Sequence, residues 1–327
     1  MKAVLCHEYG PPESLSIGEL PTPTPSADEA LIEIVASGVN FPDVLMVAGK
    51  YQSQPPRPFA PGLEVAGVVR AVGANISDLH SGERVMASTG SGGFAEYAVV
   101  RRRAIRPIPA SMDLVTASAM SVTYGTSYHA LKQRADLQPG ETLLVTGAAG
   151  GVGLAAVELG KAMGARVIAA ASNATKLAAA RASGADELID YSSGEIREKL
   201  KSLTDGKGVD VIYDPVGGPL FDQLVRSLAW NGRLLIVGFV GGDIPKIPAN
   251  LLLLKGAQAV GVFYGAFSAR NPALDEQNFR EMFAWHAAGK IKPLVSQIFA
   301  MKDYAAALNA LAHREVIGKV VVRIKQE

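Results

Sequence analysis

Apolar and polar positions change rhythm partway along this chain. From about residue 120, apolar runs at 142–147, 166–171, 187–190, 209–214, 233–238 and 257–263 alternate with segments of helical period near 151–163, 174–183, 194–204 and 218–229. Strand–helix alternation at this spacing predicts parallel βαβ units, with helices on both faces of one sheet. Before about residue 119 the chain is β-rich, and its apolar runs have strand composition. Examples are Ala30–Val35, Glu64–Val69 and Phe94–Val99. Clusters of Pro and Gly at 21–25, 55–61 and 90–93 separate them, which predicts an irregular antiparallel barrel. The tail changes again: a helix near 275–289, a strand at 295–300, a helix near 303–312 and a last strand at 318–324. That tail is expected to pack back onto the first domain. The organisation read from the pattern is a discontinuous β-rich domain, 1–119 plus 262–327, and a doubly wound α/β domain, 120–261.

Composition narrows the class without naming it. The chain has 327 residues, 48% apolar and 19% charged, with a formal net charge of +1. Two domains with real cores are possible at that length. A near-zero charge supplies no field for nucleic acid or an anionic membrane, so neither is expected as a partner. The chain has one cysteine, Cys6, so an internal disulfide is impossible and a thiolate zinc cage is ruled out. No basic flank leads into an apolar segment at the start, and the longest uncharged apolar stretch, 142–157, is glycine-rich and too short to span a bilayer. A cytoplasmic setting is expected.

The first run of the second domain carries the chemistry. Val145-Thr146-Gly147-Ala148-Ala149-Gly150-Gly151-Val152-Gly153 takes a strand into a glycine-dense turn that opens a small-residue helix. The pattern is Ala-x-Gly-x-x-Gly, with Ala148 where the strict fingerprint has glycine. Such a turn lets backbone amides approach a diphosphate, and the positive helix start faces the phosphates. Ala149, Gly150, Gly151 and Val152 are the expected diphosphate cradle of a dinucleotide.

Which dinucleotide is read just after the second strand. An acid there accepts hydrogen bonds from the ribose diol of NAD, whereas a 2′-phosphate needs cations and donors. Here the strand ends in Ser172-Asn173-Ala174-Thr175-Lys176, with no carboxylate. Ser172 and Asn173 offer polar groups, Lys176 a charge, and Tyr191 after the third strand a hydroxyl. NADPH is the expected cofactor.

These residues, with Gly38-Val39-Asn40-Phe41-Pro42-Asp43, Pro61-Gly62-Leu63-Glu64-Val65-Ala66-Gly67, Gly82-Glu83-Arg84-Val85 and Tyr124–Leu131, resemble the medium-chain dehydrogenase/reductase superfamily. The resemblance runs the full length and is strongest to the zinc-free quinone oxidoreductase branch that includes zeta-crystallin. It implies a Rossmann domain and a discontinuous GroES-like barrel, with NADPH in the cleft between them. It differs from the zinc alcohol dehydrogenases where it matters chemically. Asn40 stands where those enzymes place a cysteine ligand, Leu63 stands for their histidine, and the four-cysteine lobe has no counterpart. Without that donor set no Lewis acid lowers an alcohol's pKa, so alcohol oxidation is disfavoured.

By position, the resemblance implies Asn40 and Thr126 near the nicotinamide. It also implies Gly238, Phe239 and Phe263 lining that pocket, and a homodimer through the edge strand near 257–263. The implied reaction is hydride transfer to a quinone or to a C=C bond conjugated with a carbonyl. Asn40 is a candidate donor to the acceptor oxygen, or a holder of the loop before Pro42. Tyr51 is a candidate proton donor, since it resembles the tyrosine of an enoyl-thioester reductase branch and a free phenol is protonated at neutral pH. Asp43 is expected to cap a helix. Two other readings stay open: reduction of an enoyl-thioester, and NADPH binding by a non-enzymatic structural or RNA-contacting protein. A short-chain dehydrogenase is disfavoured because no Tyr-x-x-x-Lys pair occurs.

Overall fold

The computed structural model describes residues 1–192 and 194–325, and the chain divides into two compact units. The first comprises Met1–Val122 together with the C-terminal segment from Pro293; the second is Thr123–Lys292. The return to the first unit therefore comes at Pro293, later than the expected residue 262.

The second unit is built on a six-stranded parallel sheet. Its strands, in spatial order, are Glu187–Asp190, Arg166–Ala171, Thr142–Val145, Val209–Asp214, Leu228–Ile236 and Gln258–Gly261. Numbered along the chain, that is the order 3-2-1-4-5-6 of a dinucleotide-binding fold, with its switch point beside the first strand. Leu144, Ile168, Ile212 and Leu234 are fully buried in the sheet, as helices on both faces require. The helix Gly151–Ala162 presents Gly153, Leu154, Ala155, Ala156 and Val157 to the interior. Its small residues let it lie close: a Cβ on Gly160 would stand 2.6 Å from a Leu143 methyl.

Two helices after the sixth strand explain the shifted boundary, and a further one lies between the fifth and sixth strands. Ala249–Lys255 and Tyr264–Arg270 are short helices without a clear apolar stripe, and Pro272–Ala287 follows. Polar and ring contacts tie the last two to the helix Thr123–Tyr128 and the π-helical turn after it. The Tyr128 hydroxyl donates to Glu281, and the Gln133 amide donates to Asn278 at 2.9 Å. His129 stacks on Phe267 at 3.9 Å between ring centroids. Among the described residues, no helix is long and apolar enough to cross a membrane.

The first unit holds a seven-stranded sheet. Its path runs Val295–Ala300, Lys319–Arg323, Glu29–Val39, Glu64–Val72, Arg84–Ser88 and Ile105–Pro107, and Tyr97–Arg101 also pairs with Glu29–Val39. The pairings are antiparallel except the edge pair Val295–Ala300 with Lys319–Arg323, which is parallel because the helix Tyr304–Ala312 forms a crossover between them. Ile32, Ile34, Val65, Val69 and Val85 fill its core.

Register decides what meets at the end of this sheet. Val320 pairs with Val39 and Val321 with Gly38, so Lys319 comes opposite Asn40. Gly38 also pairs with Glu64 on the other side. Gly38 has to be glycine, because a Cβ there would run into the Ser118 carbonyl and stand 2.6 Å from the Glu64 carboxylate.

Candidate functional site

Three neighbouring strands of the first unit deliver Asn40, Glu64 and Lys319 to one buried point. The Lys319 ammonium donates to Glu64 Oε1 at 2.7 Å, to Asn40 Oδ1 at 2.8 Å and to the Val39 carbonyl at 2.9 Å. Asn40 Nδ2 donates to Glu64 Oε1 at 2.9 Å and, over a longer 3.3 Å, to the Gly38 carbonyl. The second Glu64 oxygen accepts the Val122 amide at 2.8 Å. Glu64 has no exposure, and the Lys319 and Asn40 residues have 4% and 5%. A buried carboxylate normally carries a severe desolvation cost; here one cation and two amide donors offset it.

Asp43 lies in the same corner and is fully buried. The helix Phe41–Val47 starts two residues before it, with Pro42 in the first turn. One Asp43 oxygen accepts the Asn40 backbone amide at 2.8 Å, so it closes the helix start as expected. The other accepts the Gly62 amide at 2.9 Å. Gly62 has φ of 103° and packs on Gly93, a backbone conformation and a closeness that a side chain would not allow. Burial pushes the Asp43 carboxyl up to about 7, against the pull of those two amides and Lys319.

Tyr51 follows that helix and packs, half-buried, on the cluster that includes Met46, Val47 and Phe59. Burial and the nearby Asp43 raise its phenol above the usual range, and a hydrogen bond with Gln52 pulls the other way. It remains protonated at neutral pH.

In the second unit the predicted cradle is a strand–turn–helix. Thr142–Val145 ends, Gly147 takes φ of 54°, and the helix begins at Gly151. Its first-turn amides have no intrahelical partners and are available to an anion. Gly153 is required: a Cβ there would collide with the Gly147 carbonyl and stand 2.8 Å from the Ala148 Cα. Beside it, Ser127 Oγ donates to the Val152 carbonyl at 2.9 Å and bonds the Tyr213 hydroxyl at 2.8 Å; Thr126 precedes it on the helix Thr123–Tyr128.

At the end of the second strand, Lys176 Nζ donates to Ser172 Oγ at 3.4 Å, and Asn173 caps the following helix by accepting the Lys176 amide at 2.9 Å. The Tyr191 amide donates to the Ala171 carbonyl at 3.1 Å, which brings Tyr191 to the same edge. Ser172, Asn173 and Lys176 are thus linked at the strand end, while Tyr191 is placed there by its backbone and its ring packs on the core that includes Ile189 and Ile196. Gly238 and Phe239 follow the fifth strand and stay half-buried. Phe263 is 60% exposed.

Two carboxylates escaped the sequence reading. Asp214, buried at the end of the fourth strand, accepts from Thr146 Oγ1 at 2.5 Å and from the Val216 and Gly217 amides, so it clamps the start of the glycine turn. Asp190 stands opposite Ala171 but is spent on the Ser192 amide at 2.8 Å. An acid does stand beside the end of the second strand, supplied by the third strand. The signal for Asp214 was its place at a strand end beside the switch point. Lys319, 255 residues from Glu64, left no local signal.

The donor set does not suit zinc. Leu63 and Asn40 are poor ligands, Asp43 is taken up by the Asn40 and Gly62 amides, and Glu64 already carries an ammonium that would repel a dication.

Two family models match the chain: "Alcohol dehydrogenase GroES-like domain" over residues 26–110 and "Zinc-binding dehydrogenase" over residues 151–285. A quinone oxidoreductase-like protein 2 homolog of Nematostella vectensis is 40% identical, over 99% of this chain and 89% of the relative. Quinone oxidoreductase of Escherichia coli, solved in complex with NADPH, superposes with a TM-score of 0.92 at 28% identity, covering 99% of this chain and all of that one. A mycobacterial protein solved with NADPH gives a TM-score of 0.93 at 29% identity, with 99% and 100% coverage. With the GroES-like and Rossmann units in place and the zinc ligands replaced, the chain belongs to the medium-chain dehydrogenase/reductase superfamily, as a zinc-independent, quinone-oxidoreductase-like member.

Proposed function

We infer that this chain is an NADPH-dependent oxidoreductase acting on quinones or α,β-unsaturated carbonyl compounds. The observation that carries the reading is the amide-lined start of the helix at Gly151, placed one strand from Ser172 and Lys176. The close packing of Gly153 on the turn, which holds the helix start in place, and the cation at the strand end both fit a phosphorylated dinucleotide. Bound NADPH supplies the hydride. Gly150, Gly151 and Val152 hold the diphosphate, Ser172, Asn173, Lys176 and Tyr191 hold the 2′-phosphate, and Thr126, Gly238, Phe239 and Phe263 border the nicotinamide.

Quinones and enones spread arriving charge onto oxygen, so hydrogen-bond donors serve where an alcohol would need a metal. Asn40 offers that donor through the Nδ2 hydrogen held only by the long 3.3 Å bond to Gly38. Tyr51, kept protonated, gives up the proton that completes enone reduction. The test is NADPH consumption over a panel of quinones, enones and enoyl-thioesters, with NADH in parallel. Turnover of quinones or enones with a preference for NADPH is expected; binding of NADPH without turnover of any acceptor would refute the reading.

We further propose a homodimer through the open edge of the Gln258–Gly261 strand. Trp230, Leu253 and Leu254 are 71%, 80% and 68% exposed in the same unit, which supports that reading. The lone, buried thiol of Cys6 suits a cytoplasmic setting.

A further inference from the structure

We propose that Lys319, on the last strand of the chain, is a positioning residue that sets which end of the Asn40 carboxamide faces the acceptor. The proposal rests on the reading of Asn40 as the donor to the acceptor oxygen.

A carboxamide is nearly symmetric in shape, and only its partners decide where its oxygen and nitrogen lie. An ammonium has donors and no acceptor, so Lys319 at 2.8 Å requires the oxygen end of Asn40. An ionised carboxylate has acceptors and no donor, so Glu64 at 2.9 Å requires the nitrogen end. The two constraints agree, and Lys319 and Glu64 bond each other at 2.7 Å, so neither turns away. The ammonium's third bond, to the Val39 carbonyl, ties it to the residue before Asn40. Three donors thus meet three acceptors, and the amide is left with one N–H on a weak bond. Without Lys319 the oxygen end has no donor partner and Glu64 loses the bond that keeps it turned toward Asn40, so neither constraint is secured; the amide can turn over, and an acceptor then stands where the chemistry needs a donor.

Lys319 does a second thing that must be separated from the first. It neutralises Glu64, which is fully buried. Loss of that charge pairing destabilises the fold whatever Asn40 does. Lys319→Met therefore lowers both thermal stability and turnover. The double variant Lys319→Met with Glu64→Gln removes both charges and recovers the stability.

The experiment measures kcat and KM for a quinone, the NADPH dissociation constant and Tm for Lys319→Met, Lys319→Arg, the double variant and Asn40→Ala. The expected result is a kcat lowered by about tenfold or more in Lys319→Met and still lowered in the double variant, whose Tm has returned, with NADPH affinity kept within about twofold. Lys319→Arg, which keeps a donor-only cation, regains most of kcat. Recovery of kcat together with Tm in the double variant would reduce Lys319 to a counter-ion and overturn the proposal. So would wild-type kcat in both Lys319→Met and the double variant beside an impaired Asn40→Ala. A silent Asn40→Ala would instead overturn the reading of Asn40, leaving Lys319 nothing to position. Should Lys319→Met fail to fold, the double variant is compared with Glu64→Gln alone: a kcat below that of Glu64→Gln supports the proposal, and an equal kcat overturns it.

Discussion

Replacing Asp43 by alanine should change how stability depends on pH, in a direction the burial of this carboxyl dictates. Asp43 has a carboxyl raised to about 7 in the folded chain, chiefly by desolvation, from an ordinary value of 3.8. A carboxyl raised on folding stabilises the fold when protonated. Its contribution is whole below the ordinary value and is lost as pH rises through 7. Between pH 5.5 and 8.5 nearly all of the remaining loss occurs: about 1.5 pH units at ~1.4 kcal/mol each, or about 2 kcal/mol. The alanine variant lacks this term. It also strands the amides of Asn40 and Gly62, at about 1–3 kcal/mol each, a cost that is the same at both pH values. The variant should therefore be less stable than the parent at pH 5.5, with the gap narrowing by about 2 kcal/mol at pH 8.5. Histidine titration is common to both proteins and cancels in the comparison. Urea unfolding followed by far-UV circular dichroism measures it; tryptophan fluorescence would not, since Trp230 and Trp285 both lie in the second unit. Parallel pH profiles for the two proteins would show that Asp43 is ionised throughout, and the account of its burial would fall.

Other outcomes follow from the same geometry. Lys176→Ala should weaken NADPH by about 10- to 100-fold, the worth of one charge-assisted bond, and leave NADH nearly unaffected; equal losses in titrations of both would remove Lys176 from the phosphate site. Gly153→Ala should cost about 1–3 kcal/mol and abolish dinucleotide binding, because the new methyl meets backbone of Gly147 and Ala148 that has no rotamer to move; calorimetry showing native affinity would contradict the close approach. Tyr51→Phe should slow enone reduction at unchanged NADPH affinity, and a native rate would take Tyr51 out of the chemistry. Ala259→Pro should give monomers by light scattering. The Val262 amide is spent inward on Ile236, so by alternation the amide of Ala259 faces the open edge and its loss breaks no bond within the sheet; a retained dimer would place the interface elsewhere.

Much of the fold was legible because it is written locally. Strand–helix alternation needs only neighbours in sequence, and the six expected strands and the glycine turn stand where periodicity put them, within a few residues. The missing acid after Ala171 is equally local. The antiparallel character of the barrel was legible too, but the parallel edge pair was not, since its crossover helix, Tyr304–Ala312, separates the two strands. The helices at 249–255 and 264–270 lack an apolar stripe, and their place is set by contacts such as His129 on Phe267 that no window of sequence contains.

What the residues alone decided is the glycine-rich strand–turn–helix and the lack of a zinc donor set. Both depend on the chemical identity of side chains at consecutive positions: glycines where amides must be bare, and Asn40 and Leu63 where thiolate and imidazole would bind a metal. What only the folded chain decided is the buried corner around Asn40. Glu64 and Lys319 are ordinary charged residues until strand register sets one opposite Gly38 and the other opposite Asn40. There, removed from water, each charge is tolerable only because the other is present, and that mutual need arises from three-dimensional proximity, which no stretch of the chain encodes by itself.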